Sequence, residues 1–582
     1  MRSLSSYTAF LAAILPVARA ITLDDVCTSS YVAEHLPASG YYGDYAISVN
    51  TDSVTANPVT NYTVGPVESP MFPAANFDYC NVTFTYSHDG RGDAVLLTFW
   101  LPAPDAFQNR YLATGGGGYA INSRLGSLPG GVMYGAVASQ TDGGFGEHQT
   151  DALSTFLVQN GTIDWQNVYM FGYQAIREQS LLGREFSRLF FNLTETDKLY
   201  KYYQGCSEGG REGWSQAQRF EDAYDGAVIG APAFRFAFQQ VQHLYANVVE
   251  QTMGYYPPPC ELEKIMNETI VACDPLDGKA DGVVSRTDLC TANYNINATL
   301  GLPYSCAAAP AGPFTPATPA QNGTVSAQGI ALAQKILKGL HDDEGKRAYF
   351  SYTPSSSFTD AQTEYNSETG EWEGTVTSLG GSFVQVLLNL EEGENLANLD
   401  NVTYSTLRDW IWKGWNRYND VLMTNWPDIS PLKNSGAKIL HYHGESDFSI
   451  PTASSVRYYE SVRSILNPSA TYNESIEAMN DFYKLFLVPG GAHCNYNPYE
   501  PNGPWPQTNL AVLIDWVENG NEPLTLNATI LQGGNLGQSQ QICAWPLRPL
   551  WANNGTSLQC VYDQSSIDSW QYNLDAFPMP VY

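Results

Sequence analysis

Positive charge is scarce in this sequence. Lys and Arg number 29 against 59 Asp and Glu, for a formal charge of −30 and an isoelectric point near 4.5. That balance excludes nucleic acid and anionic membrane surfaces as partners and suits solubility at mildly acidic pH above the isoelectric point. Long hydrophobic runs are missing too. The apolar stretch Ala9 to Val17 is roughly half of the ~20 residues that span a bilayer, and no later segment is long and uncharged enough, so no membrane partner is expected. No internal repeat is present. Histidine is limited to eight positions, which leaves few side chains to serve as a general base.

What is there points to a large, covalently braced chain. With 582 residues and 43% hydrophobic content a sizeable core is available, as one domain with a big insertion or as two domains. Arg2, the apolar Ala9 to Val17 and the small-x-small triplet Ala18-Arg19-Ala20 predict a signal peptide over residues 1–20 and a secreted, extracellular protein. Eleven Asn-x-Ser/Thr sequons run from Asn61 to Asn554, as expected of a glycoprotein. The ten cysteines predict five disulfides in an oxidising route, although spacing alone does not give their connectivity.

Strand signals occur at Asp93 to Leu101, Arg110 to Thr114, Lys198 to Gln204, Gly226 to Ile229, Ala437 to His443 and Phe482 to Val488. Helical patterns lie at Gln174 to Leu189, Gly209 to Phe220 and Leu510 to Glu518. This alternation predicts an α/β fold, an α/β-hydrolase core with a mostly parallel sheet covered on both faces. Residues 21–233 and 431–582 are assigned to that catalytic core. Residues 234–430, rich in Trp, Tyr, Pro and Cys without the alternation, read as an inserted lid domain.

The strand Lys198 to Gln204 runs into Gly205-Cys206-Ser207-Glu208-Gly209, which opens a helix. A nucleophile elbow needs small residues two positions either side of the serine, because the strained turn leaves no room for side chains there. Ser207 is therefore the expected nucleophile. In this fold the order is nucleophile, acid, base; His493 is the last histidine and follows an apolar strand through Pro489-Gly490-Gly491-Ala492. Asp447, after the strand Ala437 to His443, is the expected acid, with Glu445 in reserve. His441 and His443 share one strand face, which fits packed histidines better than a metal pair lacking further ligands.

Cys206 precedes the nucleophile and Cys494 follows the base. Bringing Ser207 and His493 together carries these sulfurs close, so a Cys206–Cys494 disulfide is predicted as a clamp. It would close a loop of about 290 residues, worth ~5 kcal/mol in the chain-entropy model. The oxyanion hole needs two backbone N–H groups, expected from Glu208 and from Gly117 or Gly118 in the loop Gly115 to Gly118. No Lys-Ser/Thr follows those glycines, which excludes a P-loop. Asp274, Asp277 and Asp281 lie in a Gly-containing turn between Cys273 and Cys290; residue types alone fit calcium and a solvated acidic turn equally.

Cys206-Ser207, Asp447 and His493-Cys494 together resemble the CS-D-HC arrangement of the tannase and feruloyl esterase family, and the likeness covers essentially the whole mature chain. Tyr202 to Gly213, Tyr256 to Leu262, Leu440 to Asp447 and Ile567 to Trp570 carry it further. The resemblance implies a structural calcium ion in the lid, on Asp274, Asp277 and Asp281 with the Lys279 and Val283 carbonyls, and no organic cofactor. It also implies disulfides Cys27–Cys80, Cys273–Cys290 and Cys543–Cys560, leaving Cys260 for Cys306. Cys306 to Asn322 contains no Lys or Arg, so the paired-basic processing seen in some relatives is not expected there. The implied partner is a polyphenol ester such as a gallate ester, cleaved through a galloyl-Ser207 intermediate, with Phe448 and Ile450 at the pocket mouth. A hydroxycinnamoyl esterase would share every one of these residues, a polyphenol-binding protein without turnover is the alternative of another class, and a homo-oligomer is left open.

Overall fold

The computed structural model describes residues 21–67, 69–146, 152–312 and 316–582. The leader expected over residues 1–20 lies outside them. Among the described residues ten strands build the main sheet: β1 (Gly40–Tyr42), β2 (Tyr45–Val64), β3 (Ala75–His88), β4 (Val95–Pro102), β5 (Arg110–Thr114), β6 (Ala136–Thr141), β7 (Tyr200–Cys206), β8 (Gly226–Gly230), β9 (Lys438–Gly444) and β10 (Tyr483–Val488). Their spatial order is β1-β2-β3-β4-β6-β5-β7-β8-β9-β10. From β6 to β10 all neighbours pair in parallel, while β1 to β4 and the β4–β6 junction are antiparallel.

Burial follows this division. β8 and β10 are buried at every position and β7 at its last five, as expected of strands covered on both faces. β3 alternates half-buried and buried residues along most of its length, because one of its faces meets solvent. Sequence patterning found β4, expected at Asp93 to Leu101, but missed β1 to β3, and β2 shows a physical reason: it reads Tyr-Ala-Ile-Ser-Val-Asn-Thr-Asp-Ser-Val onward, buries few residues, contains Pro58 and breaks register after Asn50 and Val59. The small residues of β6, Ala-Val-Ala-Ser-Gln-Thr, give little apolar signal, although all are buried.

The helices that matter are α1 (Ala175–Phe190), α2 (Glu208–Arg219), α3 (Phe236–Gln242), α4 (Tyr245–Met253), α5 (Pro259–Cys273), α6 (Ala327–Lys338), α7 (Tyr404–Tyr418) and α8 (Asn509–Asn519). The chain leaves the sheet at Gly230 and re-enters it at Lys438. Residues 234–430 fall within this excursion, where α3 to α7 and two short hairpins, Pro303–Cys306 with Gln321–Thr324 and Thr363–Asn366 with Glu371–Gly374, replace the βα alternation. The main hydrophobic cluster runs without a break from core residues such as Phe171 and Trp214 to Phe238, Phe383 and Trp415 of the insertion, so the excursion packs as part of the body. No helix among the described residues is long and apolar enough to cross a membrane.

Five disulfides join Cys27–Cys80, Cys206–Cys494, Cys260–Cys306, Cys273–Cys290 and Cys543–Cys560, and no described cysteine is free. The pairing agrees with the sequence expectation throughout.

Candidate active site

Ser207 stands between the last residue of β7 and the first of α2, with φ 64° and ψ −122°. A non-glycine residue in that region is strained, and strain of this kind is held in place only by close packing around it. The packing here is backbone on backbone. A Cβ on Gly205 would lie 2.6 Å from the Gly209 carbonyl oxygen, and one on Gly209 would lie 2.8 Å from the Gly116 oxygen, so both flanking positions exclude side chains. The Gly209 N–H donates to Gly116 O at 2.9 Å and ties the elbow to the glycine loop.

The three residues singled out as nucleophile, base and acid meet here. Ser207 Oγ is 2.8 Å from His493 Nε2, and His493 Nδ1 is 2.8 Å from Asp447 Oδ2. The other Asp447 oxygen accepts N–H groups of Ser449 at 2.8 Å and Ile450 at 2.9 Å. Burial opposes the Asp447 charge, yet the adjacent His493 and His443 and the bonds they donate hold its carboxyl well below the usual range. The Cys206–Cys494 bond, with Cα atoms 6.0 Å apart, fastens the elbow to the histidine loop across 288 residues of sequence.

The oxyanion expectation is narrowed. Gly117 N–H donates to Ala120 O at 3.0 Å, and Gly116 N–H donates to Glu212 Oε2 at 2.9 Å. Gly117 is thereby removed as a donor, because its N–H is spent on the turn that shapes the loop. Gly118 lines both cavities beside Ser207, and Glu208 opens α2, where early N–H groups have no partner within the helix.

Sequence reasoning missed the buried charge cluster behind this elbow. Arg211 donates to Glu208 Oε1 at 2.7 Å and to the carbonyls of Gly172 and Phe171. One guanidinium neutralises one carboxylate, and burial together with the Glu208 charge pushes Glu212 well above the usual carboxylate range. Also missed was the backing of the acid: His443 Nε2 lies 3.1 Å from Asp447 Oδ2, while its Nδ1 bonds Ser455 Oγ at 2.6 Å. His441 bonds Tyr483 and the same Ser455, so both strand histidines are engaged within the protein. Glu445 is committed elsewhere, to Arg548 at 2.7 Å and Thr287 at 2.6 Å. Ile450 requires correction. Its side chain joins the hydrophobic core and it does not line the cavities beside Ser207, because the chain turns as its N–H docks on Asp447. Phe448 does line one of them and meets the His493 ring edge to face at 6.1 Å.

The family model described as tannase and feruloyl esterase matches residues 80–567. The chain belongs to the tannase and feruloyl esterase family. Within that family the tannase of Aspergillus oryzae is 48% identical over 98% of this chain and 99% of its own length. The solved tannin acyl hydrolase from Aspergillus niger superposes with a TM-score of 0.93 at 58% identity, over 97% of this chain and 100% of that one. Feruloyl esterase B from Aspergillus oryzae shares the fold at a TM-score of 0.69 and 23% identity, over 92% of this chain and 99% of that one. Membership in the tannase and feruloyl esterase family sets the enzyme class, a carboxylic ester hydrolase.

The acidic turn of the insertion is knotted rather than splayed. Asp274 Oδ1 accepts the N–H of Asp281 at 2.9 Å, Asp277 Oδ1 that of Lys279 at 2.9 Å, and Asp281 Oδ2 lies 2.7 Å from Lys279 Nζ. Among the described residues no three His, Cys or acidic side chains converge as a metal-binding group. Asp277 Oδ2 is nevertheless buried without a partner, and burial, with Asp281 and Asp274 nearby, pushes its carboxyl up to about 6. An orphaned, electrostatically crowded carboxylate fits a hard cation.

Proposed function

We propose that this protein is a secreted serine esterase that hydrolyses galloyl ester and depside bonds of hydrolysable tannins and releases gallic acid. The observation that carries the reading is the unbroken Ser207–His493–Asp447 hydrogen-bond chain in a molecule similar over its full length to tannases. Ser207 Oγ attacks the ester carbonyl as His493 Nε2 takes its proton, with Asp447 holding the imidazole by Nδ1. The N–H groups of Glu208 and Gly118 receive the oxyanion. Collapse expels the alcohol, which takes the proton from His493 and leaves galloyl-Ser207. Water then adds, giving a proton to His493, and the second collapse returns that proton to Ser207 and frees gallic acid.

Calcium is assigned to Asp274, Asp277 and Asp281 with the Lys279 and Val283 carbonyls, where it would brace the turn and take no part in the chemistry. A Cβ on Gly278 would lie 2.3 Å from Trp551 O, so the braced turn is pressed against the hairpin Leu547–Ala552 with Ser557–Tyr562. Secretion is supported by the five disulfides, and glycosylation by the exposure of eight of the eleven sequon asparagines, Asn61, Asn160, Asn192, Asn297, Asn322, Asn401, Asn473 and Asn554. Rates on methyl gallate and methyl ferulate test the acyl preference: gallate should be favoured, and a preference for ferulate would overturn the reading.

A further inference from the structure

Two cavities open onto Ser207 and share only Gly118, Ser207 and His493. The larger, about 1360 Å³ of empty space, runs along Met71, the glycine loop and the Cys206–Cys494 disulfide, and its walls are mainly apolar. The smaller, about 530 Å³, lies between the insertion and the triad. An ester whose carbonyl carbon sits at Ser207 extends two arms from that point, so each cavity receives one.

The smaller cavity holds a pair of polar side chains that the hydrolysis does not use, His243 and Asp360. His243 Nδ1 is 3.0 Å from both Asp360 oxygens. Its Nε2 faces the Gln239 amide nitrogen at 3.3 Å and so accepts there, which places the ring proton on Nδ1, donating to Asp360. Tyr352 O–H points to Asp360 Oδ2 at 3.2 Å and to Ser449 O at 3.0 Å. A carboxylate offers about four acceptor positions, and these two donors leave acceptor capacity on a side chain only 10% exposed. Thr377 adds no free donor, since its hydroxyl is within 2.9 Å of Asn247 Oδ1. The pocket therefore presents an oriented, water-poor acceptor and calls for a ligand that brings donors.

We propose that Asp360, aimed by His243 and Tyr352, is the specificity-determining acceptor for adjacent phenolic hydroxyls on the acyl ring, with Phe448 as the apolar wall. The inference rests on the galloyl-ester reading above and adds its recognition element. Neighbouring phenol groups donate two bonds to one carboxylate, in the manner of a guanidinium fork. A methoxy group in place of one of them removes a donor and sets a methyl against a buried carboxylate, which penalises a feruloyl ring. The alcohol arm then occupies the larger cavity, which has room for a bulky polyol.

The test compares methyl gallate with methyl benzoate, which has no ring hydroxyl. Asp360→Asn should lower kcat/KM for methyl gallate about 10- to 100-fold, mainly through KM, and leave methyl benzoate within about threefold. An equal fall on both esters, or no fall on either, overturns the proposal. If Asp360→Asn does not fold, a crystal structure of Ser207→Ala with methyl gallate decides: ring hydroxyls within hydrogen-bond distance of Asp360 support it, and a ring seated beside Met71 and the disulfide overturns it. Failure of the wider reading is distinct, because it appears in the unaltered protein as a preference for methyl ferulate.

Discussion

Asp447 accepts two backbone amides on one oxygen and the His493 imidazole on the other, where the His443 ring also lies 3.1 Å away. Its depressed pKa makes it a source of pH-dependent stability with a definite sign. A carboxyl whose folded value lies below its unfolded value contributes fully above about pH 4, and the contribution is lost as pH falls through the folded value. The Tm difference between the native protein and Asp447→Asn should therefore shrink on going from pH 6 to pH 3, and a difference independent of pH over that interval would refute the charge assignment. Glu212 has the opposite sign. Its raised value contributes stability below about pH 4 that is lost as pH rises toward the folded value. Glu212→Gln, isosteric with the protonated acid, should keep Gly116 in place, retain most of the activity and gain Tm relative to the native protein between pH 4 and pH 8. A relative loss over that range would count against a protonated Glu212.

Between elements, the decisive link is the Cys206–Cys494 bond at the C-terminal edge of the sheet, where the end of β7 and the loop after β10 meet above the intervening strands β8 and β9. It acts on stability through the unfolded chain, worth ~5 kcal/mol at most in the entropy model. On the proposed mechanism it would also act on catalysis, through the distance between Ser207 and His493. Cys206→Ala/Cys494→Ala should lower Tm by several degrees and also reduce kcat at temperatures where the protein remains folded. Full kcat in a folded double variant would reduce the clamp to a stability element. Cys206-Ser207 and His493-Cys494 were legible as adjacent pairs, and adjacency alone carried the geometric argument. The direction of Ile450 was not legible, because three residues beyond the acid the chain turns to dock its N–H on Asp447 and the side chain follows the backbone inward.

In the whole molecule, the insertion, the core and the C-terminal hairpin meet through a few buried contacts. Arg548 of the hairpin pairs with Glu445 after β9, and Glu445 also accepts the Thr287 hydroxyl from the insertion. The acidic turn at Asp274 to Val283 rests against the same hairpin through Lys279, whose Nζ lies 4.2 Å over the Trp551 ring. The calcium proposed there would strengthen this junction at a distance from the chemistry. Chelation should lower Tm, calcium should restore it, and kcat measured well below Tm should change little. Asp277→Asn should remove the calcium response in Tm, and an unchanged response in that variant would overturn the ligand assignment.

Local chemistry by itself determined a good deal: the glycines around Ser207 and the continuous apolar runs of the parallel strands are constraints that act within a few residues of the chain. Those constraints are legible because a tight turn tolerates only certain residues and a doubly covered strand admits few polar ones. Other features existed only once the chain had folded. Gly118 was separated from Gly117 by a hydrogen bond to Ala120, Asp447 gained its second imidazole from His443, and Asp360 came to line one cavity with Ser207 from 153 positions further along the chain. The first two are local turn contacts, three and four residues apart, whose direction the residue types do not spell out, and the third depends on atoms brought together by long-range packing.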